Sequence, residues 1–363
     1  MMKYTRRQFI STLGAGSALV TLSAVSKFTG VSFQDDKKLG IALVGLGNYS
    51  TYQLAPALQE TYYCYLSGIV TGTPAKAERW KQQYKIPNKN IYNYENFDEI
   101  AENKSIDIVY VVLPNSMHHE FVIRAARAGK HVFCEKPMGL SVKECKEMID
   151  ECRKAGVRLF VGYRLHNEPY HKAAMKFRNN GDSGILYVQS EFGFKIGDPD
   201  QWRLKKSLAG GGALMDLGIY AIQAARYAIG NEPLSVTAQE YKTDDKKFSE
   251  VDETLTWQME FPGGHVSNSY TSYTTPANHF YISTEKRWFN LFPAYNYRGI
   301  RGSTNDGELV LPEINQQAVQ MDTFSKCILD GTFSDESGEE GLKDLKVIEA
   351  IYKAIENGTR VQV

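Results

Sequence analysis

The sequence predicts a doubly wound parallel α/β domain followed by an α+β domain with a large, mostly antiparallel open sheet. Three observations lead there. Short apolar runs alternate with helical patterns from Lys38 to about residue 162, the first run ends in Gly45-Leu46-Gly47, and beyond Tyr163 strand patterns come to dominate. Parallel strands need crossovers of about a dozen or more residues, usually helices, whereas strands that follow one another directly pair antiparallel. At 363 residues the chain is long enough for two cores.

In order, Leu39 to Val44 reads as the first strand, and the residues after the glycines form a helix to about Gln59. A strand at Leu66 to Val70 follows, then helix Ala75 to Tyr84, strand Asp107 to Leu113, helix His118 to Ala128 and strand His131 to Cys134. Ser141 opens a helix to about Lys154 with Glu144 three residues on, a capping-box spacing. Val157 to Val161 is the last strand of this half. The second half begins with a helix from Pro169 to Asn179. Strand Ile185 to Phe194 and helix Ala213 to Ile229 come next, then strands Leu234 to Tyr241, Thr254 to Phe261, Gly264 to Tyr273, Phe280 to Ser283 and Trp288 to Leu291. Amphipathic helices Ile314 to Leu329 and Gly338 to Asn357 close the chain. The stretch Thr254 to Tyr273 is expected to leave a partly apolar outer sheet face, and so a homodimer or homotetramer.

Forty-two basic residues balance forty-two acidic ones, so no global field recruits nucleic acid or an anionic membrane. The five cysteines are odd in number, and Cys145 and Cys152 lie two turns apart on one helix, too far to bridge. No disulfide framework is expected. Thr5-Arg6-Arg7-Gln8-Phe9-Ile10, followed by the uncharged, weakly apolar Thr12 to Val25, reads as a twin-arginine export signal cleaved near Ala24-Val25-Ser26. The stretch is too short and polar to stay in a membrane. The expected division is signal 1–26, linker 27–37, nucleotide-binding domain 38–162 and substrate-binding and oligomerisation domain 163–363, in a periplasmic protein.

Gly45-Leu46-Gly47-Asn48-Tyr49-Ser50 fits a Rossmann dinucleotide turn whose third glycine is serine. The glycines let backbone approach a pyrophosphate, whose charge then sits at a helix N-terminus. The second strand ends in Val70-Thr71-Gly72-Thr73-Pro74-Ala75-Lys76, without the acid that holds the ribose hydroxyl of NAD. Thr71 and Thr73 offer hydroxyls and Lys76 a charge to a 2'-phosphate, so NADP is favoured over NAD. Strand His131 to Cys134 delivers Glu135-Lys136-Pro137 at its carboxyl end, where such sheets bind ligands. Gly210-Gly211-Gly212 opens the helix that carries Asp216 and Tyr220 four residues apart on one face. When hydride leaves an alcohol carbon the hydroxyl must lose its proton. A tyrosine can take it if a nearby cation stabilises the phenolate, Lys136 can be that cation, and Asp216 can orient the hydroxyl or the lysine.

Together these segments resemble the Gfo/Idh/MocA oxidoreductases, most closely their glucose-fructose branch. The likeness rests on Gly45-Leu46-Gly47, Leu113-Pro114-Asn115-Ser116-Met117-His118-His119, Glu135-Lys136-Pro137, Gly162-Tyr163-Arg164, Asp198 to Leu204, the triple glycine and Gly338-Glu339-Glu340-Gly341. It implies that Asn48 and Tyr49 belong to the cofactor turn, and that Pro114, Asn115 and His118 line the nicotinamide side, with Glu135 and Lys136 beside the ring. It further implies that Tyr163, Arg164, Trp202 and Arg203 close over the cofactor, and that Lys136, Asp216 and Tyr220 are catalytic. Thr71 and Lys76 match 2'-phosphate contacts of the glucose-fructose branch, where serine is usual at the first.

That branch carries a long proline-containing arm after its signal; here only Lys27 to Lys37 is available, and it has no proline. His118-His119-Glu120 could suggest a metal, but adjacent helix residues point apart, and no metal is expected. An exported enzyme must regenerate its nicotinamide in place, oxidising one sugar while reducing another. Two other readings stay open: a glycosidase that uses the nicotinamide transiently to eliminate a glycosidic bond, and a sugar-binding homologue without turnover. Tyr270, Tyr273, His279 and Tyr295 are candidate sugar-lining residues.

Overall fold

In the computed structural model, which describes residues 38–178, 184–332, 334 and 336–363, the first half folds as a six-stranded parallel sheet. Its strands are β1 (Leu39–Val44), β2 (Cys64–Val70), β3 (Ile91–Tyr92), β4 (Ile108–Val111), β5 (His131–Cys134) and β6 (Leu159–Val161), in spatial order β3-β2-β1-β4-β5-β6. All six residues of β1 are buried, as in a strand covered by helices on both faces. The covering helices include α1 (Pro74–Tyr84), α2 (His118–Arg127) and α3 (Val142–Ala155). Ser141 caps α3 by accepting from the Glu144 amide at 3.2 Å, while the Glu144 carboxylate accepts from Leu140 rather than from Ser141. The order reverses between β1 and β4, and the crevice outside their carboxyl ends is where this topology binds ligands.

The second sheet has nine strands. They are β7 (Tyr187–Gly193), β8 (Ser235–Tyr241), β9 (Thr254–Glu260), β10 (Val266–Ser272), β11 (Ala277–Ser283), β12 (Trp288–Leu291), β13 (Gly302–Thr304), β14 (Gly307–Leu309) and β15 (Val361–Gln362), in the order β14-β13-β12-β11-β7-β10-β9-β8-β15. Among the described strands β7 and β10 run parallel, and every other neighbouring pair is antiparallel. Helices α4 (Pro169–Phe177) and α5 (Ile219–Ile229) pack on one face. Helix α6 (Gln316–Asp330) follows, and α7 (Gly338–Asn357) joins the covered face beside β8.

Several features depart from the sequence expectation. The two-residue strands β3 and β15 and the β13–β14 hairpin are too short for a periodicity to register. The helix expected from Ala213 opens with a π-wound turn, Leu214–Gly218. Leu255, Trp257 and Met259 point to the helices, and on the outer sheet face strand alternation leaves Thr254, Thr256, Gln258 and Asn268 on the open side together with Val266 and Tyr270, a partly apolar surface. The expected signal and linker lie outside the described residues. The five cysteines are free thiols, and no described helix is long and apolar enough to cross a membrane.

Although α6 follows the second sheet in sequence, it completes the core of the first. Ala318, Met321 and Phe324 join the cluster formed by Leu43, Ile108, Tyr110 and Phe133. The Phe324 ring lies 5.0 Å from Phe133 and is stacked on Phe160 at 4.7 Å. Phe324→Ala is therefore expected to cost roughly 3–5 kcal/mol in urea unfolding, the usual range for emptying a buried aromatic site. A loss below about 1 kcal/mol would show that α6 is peripheral to that core.

Candidate active site

A cavity of about 1080 Å³ opens along the carboxyl ends of the parallel strands and continues to the second sheet, slightly above the roughly 300–1,000 Å³ of drug-sized ligand sites. Its floor is the turn after β1. Gly45 holds φ +94°, and a Cβ there would collide with the Val112 carbonyl, so only glycine fits. Gly47 has no atom within 4 Å of where its Cβ would stand, leaving backbone open to a ligand. The chain then enters a helical segment at 48–57, with Asn48 exposed, Tyr49 half-buried and Ser50 buried. Ser50 replaces the third glycine without loss of packing because its hydroxyl donates to the Gly45 carbonyl at 2.6 Å.

At the end of β2, Thr71 is buried and accepts from the Thr73 amide at 3.2 Å. Thr73 and Lys76 face the same cavity, and the Lys76 side chain has no ion-pair partner among the described residues. The acids lining the cavity are Glu135, at the end of β5 three strands away, and Asp216 in the second half. Glycine backbone, a helix N-terminus and an acid-free, lysine-bearing β2 end fit a dinucleotide carrying a 2'-phosphate.

The far end of the cavity brings the two halves of the chain together. Pro114, Asn115 and His118 enter it after β4, and Asn115 donates to the Ala209 carbonyl at 2.9 Å. His118 is fully buried, its ring nitrogens 2.9 Å from the Pro137 and Leu113 carbonyls. His119 instead pairs with Glu147 and Glu120 with Arg124, so the three adjacent residues diverge. Glu135 accepts from the Tyr110 hydroxyl at 2.7 Å, and burial pushes its carboxyl up. Gly162 packs against it so closely that a Cβ would come within 2.6 Å of the carboxylate.

Lys136 and Asp216 meet there. The Lys136 ammonium donates to the Asp216 backbone carbonyl at 2.6 Å and to Oδ1 at 3.1 Å. That carbonyl belongs to the π-wound turn Leu214–Gly218. Arg203 and the Tyr273 hydroxyl both donate to Asp216 Oδ2 at 3.1 Å. Burial alone would raise the Asp216 carboxyl, but the Lys136 and Arg203 charges outweigh it and hold it at about 2. Burial likewise opposes the charge on Lys136, which Asp216 more than restores, so the ammonium is held above its ordinary range.

Tyr220 lies beside this pair. Its ring centroid is 4.9 Å from the Lys136 ammonium, and its hydroxyl accepts from Arg164 Nε at 3.3 Å. Trp202 and Arg203 stack on each other at 4.5 Å in the cavity wall. Tyr163 does not close over the cavity as the family likeness implies. It is buried behind the wall, where its hydroxyl donates to Asp344 at 2.6 Å. Of the suggested sugar-lining residues Tyr295 lines the cavity, Tyr273 is buried beneath Asp216, Tyr270 faces the outer groove and His279 bonds Asn290. The sequence reading did not single out Tyr297, which reaches across to stack on Tyr49 at 6.2 Å from a loop with no periodic signal.

Residues 39–163 match the oxidoreductase family with an NAD-binding Rossmann fold, and residues 145–290 match the GFO/IDH/MocA C-terminal domain. The chain is 29% identical over 344 residues to a D-xylose 1-dehydrogenase [NADP(+)] of Haloarcula marismortui, covering 90% of this chain and 94% of that one. It is 26% identical over 363 residues to a D-glucoside 3-dehydrogenase of Escherichia coli, covering 90% and 97%. The solved aldose-aldose oxidoreductase of Caulobacter crescentus, complexed with glycerol, superposes with a TM-score of 0.88 at 42% identity, over 90% of this chain and all of that one.

A carboxyl depressed in the folded state contributes stability that is complete above its unfolded value, about 3.9, and fades as pH falls through the folded value. Asp216→Asn should therefore cost about 3 kcal/mol at neutral pH, the low end for breaking a buried pair because Arg203 is partly solvated. The gap to the wild type, measured by thermal melts, should narrow from about pH 4 toward pH 2. A gap that is constant over that interval would mean the carboxylate is not held by its cations.

Proposed function

This chain belongs to the GFO/IDH/MocA oxidoreductase family, and on that footing we propose that it is an exported oxidoreductase that moves hydride between a retained NADP and a sugar or polyol. The observation that carries the reading is the meeting of Lys136, Asp216 and Tyr220 at the end of a cavity floored by the Gly45–Gly47 turn. Similarity to the aldose-aldose oxidoreductase and to the NADP-dependent xylose dehydrogenase supports an aldose as substrate and NADP as cofactor. The Thr5 to Val25 segment supports twin-arginine export to the periplasm. Retention of the cofactor follows from that location, because each nicotinamide must be recycled where it sits. A homodimer or homotetramer is proposed on the outer sheet face, where Val266, Tyr270 and Tyr187 stand among hydroxyls and amides, with mass by light scattering as its check.

The bound nicotinamide supplies the hydride acceptor in oxidation and the donor in reduction. The chain does the rest. Gly45 and Gly47 admit the pyrophosphate to backbone amides near Asn48 and Tyr49, and Thr71, Thr73 and Lys76 receive the 2'-phosphate. Pro114, Asn115, His118 and Glu135 shape the nicotinamide end, and Arg164, Trp202 and Arg203 wall the cavity beside it. Tyr220 Oη takes the proton of the reacting hydroxyl and returns it in the reductive half. Lys136, fixed by Asp216, stabilises the oxygen that loses that proton. The likeness to the glucoside dehydrogenase favours one alternative, in which oxidation of a ring carbon prepares loss of an aglycone.

Protein purified without added cofactor should release NADP on denaturation, identified by mass spectrometry. Its nicotinamide absorbance should rise with one aldose and fall with a second sugar or its lactone. Lys136→Met should keep the cofactor but turn over at least roughly a hundredfold more slowly, the scale of losing one electrostatic stabiliser. Release of free sugar from a glycoside with no net nicotinamide change would select the eliminating mechanism. Normal turnover in Lys136→Met would remove Lys136 from the chemistry.

A further inference from the structure

Arg164 has no carboxylate in direct contact; the buried Glu135 and Glu168 feel its charge only across a gap. The arginine is 3% exposed, and among the described residues it forms no ion pair. Its donors go to neutral acceptors: the carbonyls of Tyr295 at 2.6 Å and Asn296 at 3.3 Å, the side chain of Gln316, and the hydroxyl of Tyr220 at 3.3 Å. The guanidinium lies between two phenol rings, 5.0 Å from Tyr220 and 4.5 Å from Tyr297. A buried cation is costly unless an anion meets it, and the group its Nε addresses is the oxygen assigned to take a proton.

The other charges near this pair have partners of their own, beginning with Glu168, the buried cap of α4, whose carboxylate accepts from the His171 amide at 2.9 Å. Lys136, from the end of β5, spends its charge on Asp216, whose second oxygen is held by Arg203 and Tyr273. Glu135, from the same segment, has its carboxyl pushed up by burial and hydrogen-bonded to Tyr110. Behind the ring, burial pushes His166 down to about 3 and His171 down to about 4, so both imidazoles are neutral. Tyr49, Tyr295 and Tyr297 face the site as phenols that burial pushes up, Tyr297 to about 12.

We propose that Arg164 is the positioning cation of the Tyr220 base, stabilising negative charge on Tyr220 Oη as a proton passes between it and the substrate. In the oxidative half the substrate O–H bond breaks and the Tyr220 O–H bond forms, the carbon's hydride passes to the nicotinamide, and a carbonyl remains. Arg164 keeps all its protons and touches neither substrate carbon nor hydride. Lys136 then serves the substrate oxygen, while Arg164 serves the base. The inference rests on the sugar oxidoreductase reading and adds to it a division of labour between two cations.

The test is the pH dependence of the oxidative half-reaction in holoenzyme, followed by nicotinamide absorbance for the wild type, Arg164→Met and Arg164→Lys, with cofactor affinity measured separately by fluorescence titration. An opposite charge at this range favours the ionised form by about one to three pH units. In Arg164→Met the rising limb should therefore move up by at least about one unit, and in Arg164→Lys it should move back toward the wild type. A limb that stays in place in folded, cofactor-loaded Arg164→Met overturns the proposal. Should that variant not fold, the phenolate absorbance of the wild type minus that of Tyr220→Phe decides. Phenolate rising over the same pH range as turnover supports the proposal, and its absence there overturns it. A protein that shows this phenolate titration but oxidises no sugar would sink the functional reading and leave the Arg164–Tyr220 pairing standing.

Discussion

One ion pair joins the two halves of this molecule where the chemistry is proposed to occur. Lys136 leaves the parallel sheet at the end of β5, and Asp216 sits in the π-wound turn that begins the first long helix over the second sheet. Both are largely shielded from water, with side-chain exposures of 12% and 18%. Taking two such charges out of water costs several kcal/mol each unless further hydrogen bonds satisfy them. The structure supplies those bonds from the Asp216 carbonyl, Arg203 and Tyr273. The segment that carries Asp216 is itself held from below, where Asp252 accepts from the Gly212 and Leu214 amides at 2.7 and 2.8 Å.

A second buried network sets the other side of the site. Asp344 on α7 accepts from Tyr163, Gln223 and Arg226, and Arg226 also reaches Glu232 and Glu340. It fastens α5 and α7 to the residue preceding Arg164. Tyr163 and Arg164 are neighbours in sequence but serve opposite sides of the cavity wall, Tyr163 anchoring the chain from behind and Arg164 projecting forward to Tyr220. Placement of one depends on the other, because a backbone held at Tyr163 fixes the direction from which the guanidinium enters.

Much of this was legible in the sequence. Strand and helix periodicities located the long elements to within a few residues, β12 and α7 without error. The glycine turn marked the cavity floor because strand, glycines and helix follow one another in a fixed order. The absence of an acid after β2 was visible residue by residue. What stayed hidden has physical causes. Strands β3 and β15 exist through pairing with a sheet edge rather than through their own pattern. Helix α6 looks amphipathic from either half of the chain, so nothing local says which sheet its apolar stripe covers. Tyrosine is abundant here, and composition cannot tell the buried Tyr273 that holds Asp216 from the Tyr295 that lines the cavity.

The account stands on Lys136 and Asp216 acting as one unit at the reacting oxygen rather than as two independent contributors. A double-mutant cycle on the single-turnover rate of hydride transfer, using Lys136→Met, Asp216→Asn and the double variant with cofactor saturating, addresses that directly. Residues that act together give strongly non-additive losses, so the double variant should be little slower than the slower single variant. Losses that multiply would contradict the account, because the two side chains would then contribute separately despite their contact.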